Sequence, residues 1–369
     1  MVNCPPQAKV CAPPPSLVSQ LGAEVSAFAS NFQTPRVQQA SLNVEREFVD
    51  RLAVGVSYLY VHGENMIRAR DVNLPAPSDV TYPVYDETGE TFLGSYYHLP
   101  SFSTWQFTRS MTCPYPPCIN PLARPIPQLQ AINQFESVAS SVYNGATLSV
   151  RRRMTHGLYF RLSYTFARSV DDGQDALVAG RPVTVQNSYS TASERGPSVT
   201  DQRNRLAFSW ISEPKPFGRD HDFLSQLFND WKFSGVMTYG SGRPFDARVS
   251  GDPNQDSNSY NDRLPGYARN AFTGPDYATA DLRISRRLFL GSRLKLDAIA
   301  EAFNAFNRDN QRMIISDDGF QNSAGQFTQW DKTIGINTFP AYYQKSAHFP
   351  AATSAYAPRQ IQLALRLTF

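Results

Sequence analysis

The sequence predicts an all-β fold, an antiparallel transmembrane β-barrel, from three observations. Segments of strictly alternating polarity recur along the 369 residues. Aromatic side chains gather near the ends of those segments, and the connections between segments alternate between short turns and long polar stretches. A soluble sandwich shares the alternation, and ordinary core aromatics are the competing reading of the second observation, but long structureless loops count against it.

The alternation is legible in each segment. Leu52, Val54, Val56, Tyr58 and Tyr60 share one face, opposite Ala53, Gly55, Ser57 and Leu59, the period of two that a half-apolar strand requires. Leu158, Phe160, Leu162, Tyr164 and Phe166 oppose Tyr159, Arg161, Ser163 and Thr165, and Trp231, Phe233, Met237 and Tyr239 oppose Lys232, Ser234 and Thr238. The last segment sets Ile361, Leu363, Leu365, Leu367 and the terminal Phe369 against Gln360, Gln362, Arg366 and Thr368. Phe369 is the expected C-terminal signature of such a barrel.

Aromatics make up 12% of the chain and charged residues only 18%, yet mean hydropathy is −0.39 and no run of 18 apolar residues occurs. A membrane-spanning helix is thereby excluded, because it needs apolar side chains all round. A barrel strand needs them only at alternate positions. The net charge of +3 is small for this length and the cations are scattered, which argues against a nucleic-acid partner. Tyr58, Tyr60, Tyr164, Phe166, Trp210, Trp231, Tyr239 and Phe369 lie near segment ends, as rings at two membrane interfaces would.

Short turns are expected around Val49–Asp50, Met154–His156 and Leu290–Ser292, with a medium connection from Pro214 to Asn229. Long polar stretches run from His62 to Val142, Ser169 to Gln202, Gly240 to Ala278 and Asn304 to Pro358. Short periplasmic turns and long extracellular loops are the outer-membrane pattern. The strands so delimited are Val37–Phe48, Arg51–Val61, Val142–Arg152, Gly157–Ala167, Arg203–Ser212, Asp230–Tyr239, Thr279–Leu288, Arg293–Phe303 and Arg359–Phe369. Residues 1–36, rich in proline, read as a loop or linker, and residues 37–369 as the C-terminal portion of a barrel. Met1–Pro15 has no export-signal pattern. An odd strand count is expected to leave at least one strand upstream or hidden in a loop, so the chain alone is not expected to make a closed, ligand-gated transporter.

The runs SVYNGATLSVRRRMTHGLYFRLSYTFARSVDDG, SERGPSVTDQRNRLAFSW, WKFSGVMTYGSGRPF, GDPNQDSNSYNDRLPGYARN and LKLDAIAEAFNAFNRDN occur in that order. Together they resemble the barrel of Oar-like TonB-dependent receptors. The resemblance implies a bacterial outer-membrane receptor that binds a ligand at its outer face and imports it with a plug domain and the TonB complex. Its further partners would be outer-membrane lipid and the barrel-assembly machinery. Neither the plug nor the TonB box is legible in these residues. A passive porin or structural barrel is the alternative, and an outer-membrane hydrolase a lower one.

Enzyme motifs such as G-x-S-x-G, H-E-x-x-H and G-x-x-x-x-G-K-[ST] are absent. Asp171, Asp172 and Asp175 follow a strand and read as a loop entrance, and His62, His98, His156, His221 and His348 fall mostly in turns or loops. Glu194, Arg195, Asp201, Arg203 and Arg205 read as charges at the barrel mouth that pair with one another on the lumen wall, with a role in holding a ligand or the plug as the alternative. Arg161, Arg283, Lys295 and Asp297 lie on polar strand faces and should point inward. Asp252, Asn254 and Asp256, with Asn258 nearby, have the D-x-N-x-D spacing of a calcium loop, although Ser257 and Arg263 stand where Gly and Glu are usual. A solvated Asn/Asp turn is the competing reading. No other cofactor is expected. Cys113 and Cys118 bracket four residues, three of them proline, and are expected to form a disulfide in an extracellular loop.

Overall fold

The computed structural model describes residues 23–48, 51–85, 91–102, 124–126, 129–173, 177–178, 181–182, 184–216, 228–246, 254–258, 261–264, 266–290, 294–312, 343–344 and 354–369. Its strands of six or more residues are β1 (Ala23–Phe28), β2 (Arg36–Glu47), β3 (Leu52–Asp71), β4 (Ser78–Tyr85), β5 (Phe92–Ser101) and β6 (Leu129–Thr155). They continue with β7 (Leu158–Asp171), β8 (Asn204–Ser212), β9 (Trp231–Gly240), β10 (Tyr277–Leu290), β11 (Leu294–Phe303) and β12 (Gln360–Thr368).

One sheet runs β2-β3-β6-β7-β8-β9-β10-β11-β12, each pair antiparallel. These are the nine expected strands in the expected order. The register assembles the alternating side chains into two continuous faces, since cross-strand partners point the same way. On one face the rows read Val44–Val56–Leu148–Tyr164–Leu206–Tyr239 and Val54–Val150–Leu162–Phe208–Met237. At the far end they read Ile284–Ala300–Leu363 and Leu288–Leu296–Leu367. The other face carries Ser149, Ser163 and hydroxyl pairs such as Thr147–Thr165 and Thr238–Thr279, both at 2.9 Å.

Among the described residues nothing covers the apolar face. Leu363 is 80% exposed, Leu365 75% and Leu42 66%, which inverts a soluble core and fits a surface solvated by lipid. Two diagonal hydrogen bonds repeat on this face toward the long-loop rim, Tyr58 Oη to Asn144 Oδ1 at 2.6 Å and Tyr164 Oη to Asn204 Oδ1 at 2.7 Å. Toward the short-turn rim, Trp231 stacks on Phe233, and the Arg286 guanidinium lies 5.2 Å from the Trp231 ring centre. The rings thus form two girdles.

The turn between β6 and β7 needs only His156 and Gly157, both in left-handed backbone with φ 49° and 73°, the geometry that matches the twist of a two-residue hairpin. A Cβ on Gly157 would lie 2.3 Å from the Glu213 carbonyl oxygen. Gly157→Ala should therefore destabilise the fold by about 2 kcal/mol, combining left-handed strain with a backbone clash. A denaturant midpoint unchanged from wild type in lipid vesicles would show that the turn relaxes without cost.

Three departures from the sequence reading concern the long-loop rim. β3 and β6 continue far past Val61 and before Val142, reaching 20 and 27 residues where about 9–11 cross a bilayer. Bulges between Gly63 and Ile67 shift the phase of β3, so the period of two is interrupted and the extension reads as loop. Second, β4 and β5 form a hairpin inside the same stretch, in a separate sheet with Tyr343–Gln344. Third, β1 lies within the proline-rich N-terminal segment and pairs parallel with the upper part of β6. Phe28 contacts Phe135, and Gln33 N donates to Ser137 Oγ at 2.9 Å. β2 and β12, the two ends of the sheet path, run in the same direction, and no described residue pairs one with the other.

Candidate functional site at the long-loop rim

Among the described residues the buried side chains are mostly polar, and many of them gather where the long loops meet above the sheet. The assembly begins at the end of β3. Asp71 accepts from Asn73 N at 2.9 Å and Ile132 N at 3.0 Å, while its second oxygen receives Arg124 Nη1 at 2.9 Å. Arg124 also donates to the carbonyls of Asn73 and Asp256, at 3.3 and 2.8 Å, and so ties three segments together. Asn73, fully buried, donates to the carbonyls of Ile126 and Leu129 and accepts from Ile126 N. A backbone segment held by an amide in this way loses no hydrogen bond on burial.

A second knot joins the loop after β7 to the loop after β9. The Arg263 guanidinium grips Glu194 through two parallel bonds, Nη1 to Oε2 at 2.8 Å and Nη2 to Oε1 at 2.7 Å. Burial pulls the Arg263 guanidinium down, but the charge and hydrogen bonds of Glu194, with Asp246 and Asp262, outweigh it and hold the group above its ordinary value. Arg269 donates to the Glu194 carbonyl at 2.7 Å and the Asp171 carbonyl at 2.8 Å, and contacts the Asp171 carboxylate. Burial pulls its guanidinium down to about 10. Gln186 Nε2 donates to the Arg263 carbonyl at 3.1 Å, and Asn270 Nδ2 to the Pro197 carbonyl at 2.8 Å. Gly196 packs so closely that a Cβ there would lie 2.1 Å from the Arg269 carbonyl oxygen. A small apolar cluster of Tyr82, Val84, Leu99 and Leu264 attaches the β4–β5 hairpin to the same assembly.

The expected mouth charges are only partly mutual. Asp201 and Arg203 pair at 3.1 Å, but Glu194 takes Arg263 and Arg195 takes Asp172 at 3.8 Å. Arg205 lies on the polar face between Thr165 and Gly240. Arg161, Arg283, Lys295 and Asp297 all lie on the polar face, where Arg283 meets Glu301 at 3.2 Å and Asp297 meets Arg287 at 2.7 Å. Asp171 and Asp172 fasten loops, the latter to Ser140 and Arg195; Asp175 lies outside the described residues. His62 sits 3.6 Å from Glu64 and His98 Nδ1 is 3.1 Å from Thr81 Oγ1, whereas His221 and His348 lie outside the described residues.

Of the candidate calcium ligands, Asn254 and Asp256 are buried and Asp252 lies outside the described residues. Asn254 Oδ1 accepts from Asp256 N at 3.1 Å, and the Asp256 carboxylate accepts from Asn258 N at 2.7 Å and Asn261 Nδ2 at 2.9 Å. Among the described residues no group of three His, Cys, Asp or Glu side chains is placed to hold a metal ion. Cys113 and Cys118 lie outside the described residues. Arg124, Asn73 and Arg269 escape the sequence reading, because each acts on a segment remote in the chain and no local pattern names its partner.

An open-faced antiparallel sheet with two aromatic girdles, short turns at one rim and stitched loops at the other matches the family model "Outer membrane beta barrel domain" over residues 3–267. The chain belongs to this family. It is a β-barrel domain of the bacterial outer membrane, with its short turns on the periplasmic side and its long loops outside. Among solved structures, this barrel domain is similar to the outer membrane transporter YddB from Escherichia coli, with 9% identity, TM-score 0.43, and 94% of this chain and 34% of that one covered. A mutant of the ferric enterobactin receptor PfeA from Pseudomonas aeruginosa shares 15% identity with TM-score 0.41, covering 90% of this chain and 31% of the receptor. The FrpB iron transporter from Neisseria meningitidis shares 10% with TM-score 0.40, covering 94% and 33%. The chain spans about a third of the length of these structures. No curated protein sequence matches it.

Proposed function

We propose that this barrel domain is part of an Oar-like TonB-dependent receptor, which captures a ligand at the outer loops and imports it with a plug domain and the TonB complex. One observation supports this above others. The run GDPNQDSNSYNDRLPGYARN, which carries part of the resemblance, supplies Asn254, Asp256, Asn261, Arg263, Arg269 and Asn270 to the buried loop assembly. A fixed outer surface of this kind suits ligand capture, because binding residues lie disproportionately on loops held by a rigid scaffold. Phe369, on the lipid face at the periplasmic end, is the feature the barrel-assembly machinery would read.

The test uses the complete reading frame that contains this chain. A strain carrying it should gain growth on one limiting nutrient, and inactivating the TonB complex should abolish the gain. Growth that survives that inactivation would favour the passive-porin alternative and overturn the receptor reading.

Two further proposals concern the loops. Residues 252–258 bind calcium if isothermal calorimetry of the folded protein gives heat that Asp256→Asn removes; no heat in the wild-type protein disposes of the idea. Cys113 and Cys118 are joined if non-reduced peptides from exported protein carry the bond, and two free thiols contradict it.

A further inference from the structure

Near the periplasmic rim the two faces of the sheet treat arginine differently. On the polar face three arginines meet a carboxylate: Arg151 meets Glu45 at 3.3 Å, Arg153 meets Glu47 at 3.9 Å and Arg287 meets Asp297 at 2.7 Å. Between those residues in sequence lie Arg152 and Arg46, which the alternation sends to the lipid face. There the register places Arg46 beside Val54, and Arg152 between Leu52 and Phe160. No described carboxylate forms an ion pair with either. Arg46 lies over the Phe48 ring at 5.3 Å, and Arg152 Nε is buried with no hydrogen-bond partner. Arg286, on the same face further round the sheet, lies over the Trp231 ring at 5.2 Å.

Arg46 on β2 and Arg152 on β6 flank β3 from its two sides, offset by two residues along it, which puts their backbones about 12 Å apart by strand geometry. Leu52 and Val54 form the floor between them. A bare cation is costly in hydrocarbon and tolerated only close to the interface. At that depth the available anion is the headgroup phosphodiester of a membrane lipid, and the guanidinium fork matches phosphate oxygens in geometry as well as charge. We propose that Arg46 and Arg152 form a site on the lipid face for the phosphate of an anionic glycerophospholipid of the periplasmic leaflet, with Arg286 beside Trp231 as a second contact of the same girdle.

The test folds the 369-residue chain into phosphatidylcholine vesicles, with folding checked by heat-modifiable migration. Quenching of tryptophan fluorescence by brominated lipids then reports local enrichment, since Trp210 and Trp231 face lipid at this rim. The wild-type protein should prefer brominated phosphatidylglycerol over brominated phosphatidylcholine about fivefold. Arg46→Gln with Arg152→Gln should remove most of that preference, each single substitution should lower it by a smaller factor, and Arg151→Gln should leave it intact. The single variants keep the test decisive where the double one does not fold. Absence of a preference in folded wild-type protein, a preference that survives the substitutions, or an equal loss in Arg151→Gln overturns the proposal. Loss of the preference on adding millimolar inorganic phosphate would reassign the site to a soluble anion and overturn the lipid assignment.

Discussion

Arg263→Leu should weaken the outer loop assembly by about 3–5 kcal/mol, because it leaves the Glu194 carboxylate fully buried without its cation. Replacing both partners, Glu194→Leu with Arg263→Leu, should recover much of that loss, since neither charge is then stranded. Hydrogen exchange at residues 184–201 and 261–270 is the suitable measurement, as it reads local opening without requiring the barrel to unfold. Equal losses of protection in the single and double variants would show that the two residues are not coupled. The pH dependence has a definite sign. The folded guanidinium is held above its ordinary value, so its contribution is fully present at neutral pH and is lost only as pH rises through that raised value.

The second large effect tests which face meets lipid. Leu162 sits midway along the membrane-crossing part of β7, between Val150 and Phe208 on the apolar face. Leu162→Arg should cost about 2–4 kcal/mol in denaturant unfolding from lipid vesicles. Ser163→Arg, one residue on, enters the polar face between Ser149 and Ala207 and should cost far less. If the two variants were equally destabilised, the assignment of faces would be wrong, because a single-residue step reverses the direction of every side chain in a strand.

These two predictions differ in how they became legible. Alternation within a single segment places Leu162 on the apolar face, a signal that needs no knowledge of the partner strand. The Glu194–Arg263 pair joins residues 69 positions apart, and the sequence reading paired Glu194 with its neighbours instead. The same limit explains the long strands. The crossing parts of β3 and β6 alternate cleanly, but beyond Gly63 the bulged β3 loses its phase, and a reading that depends on period two stops there. The lipid-facing arginines lie between these cases: the triplet Arg151–Arg153 is visible in sequence, but which of the three lacks a carboxylate follows only from the register with β2.

Local periodicity, with turns read one at a time, was enough for the class, the nine sheet strands, their order and the face each side chain takes. How the outer loops are held, where β1 attaches and which charges are paired became visible only in three dimensions. Burial of Asn73, Glu194, Arg124 and Arg263 is tolerated only when each finds its partner from another loop. Such partners are selected by proximity in space, and nothing in the spacing of residues along the chain records it.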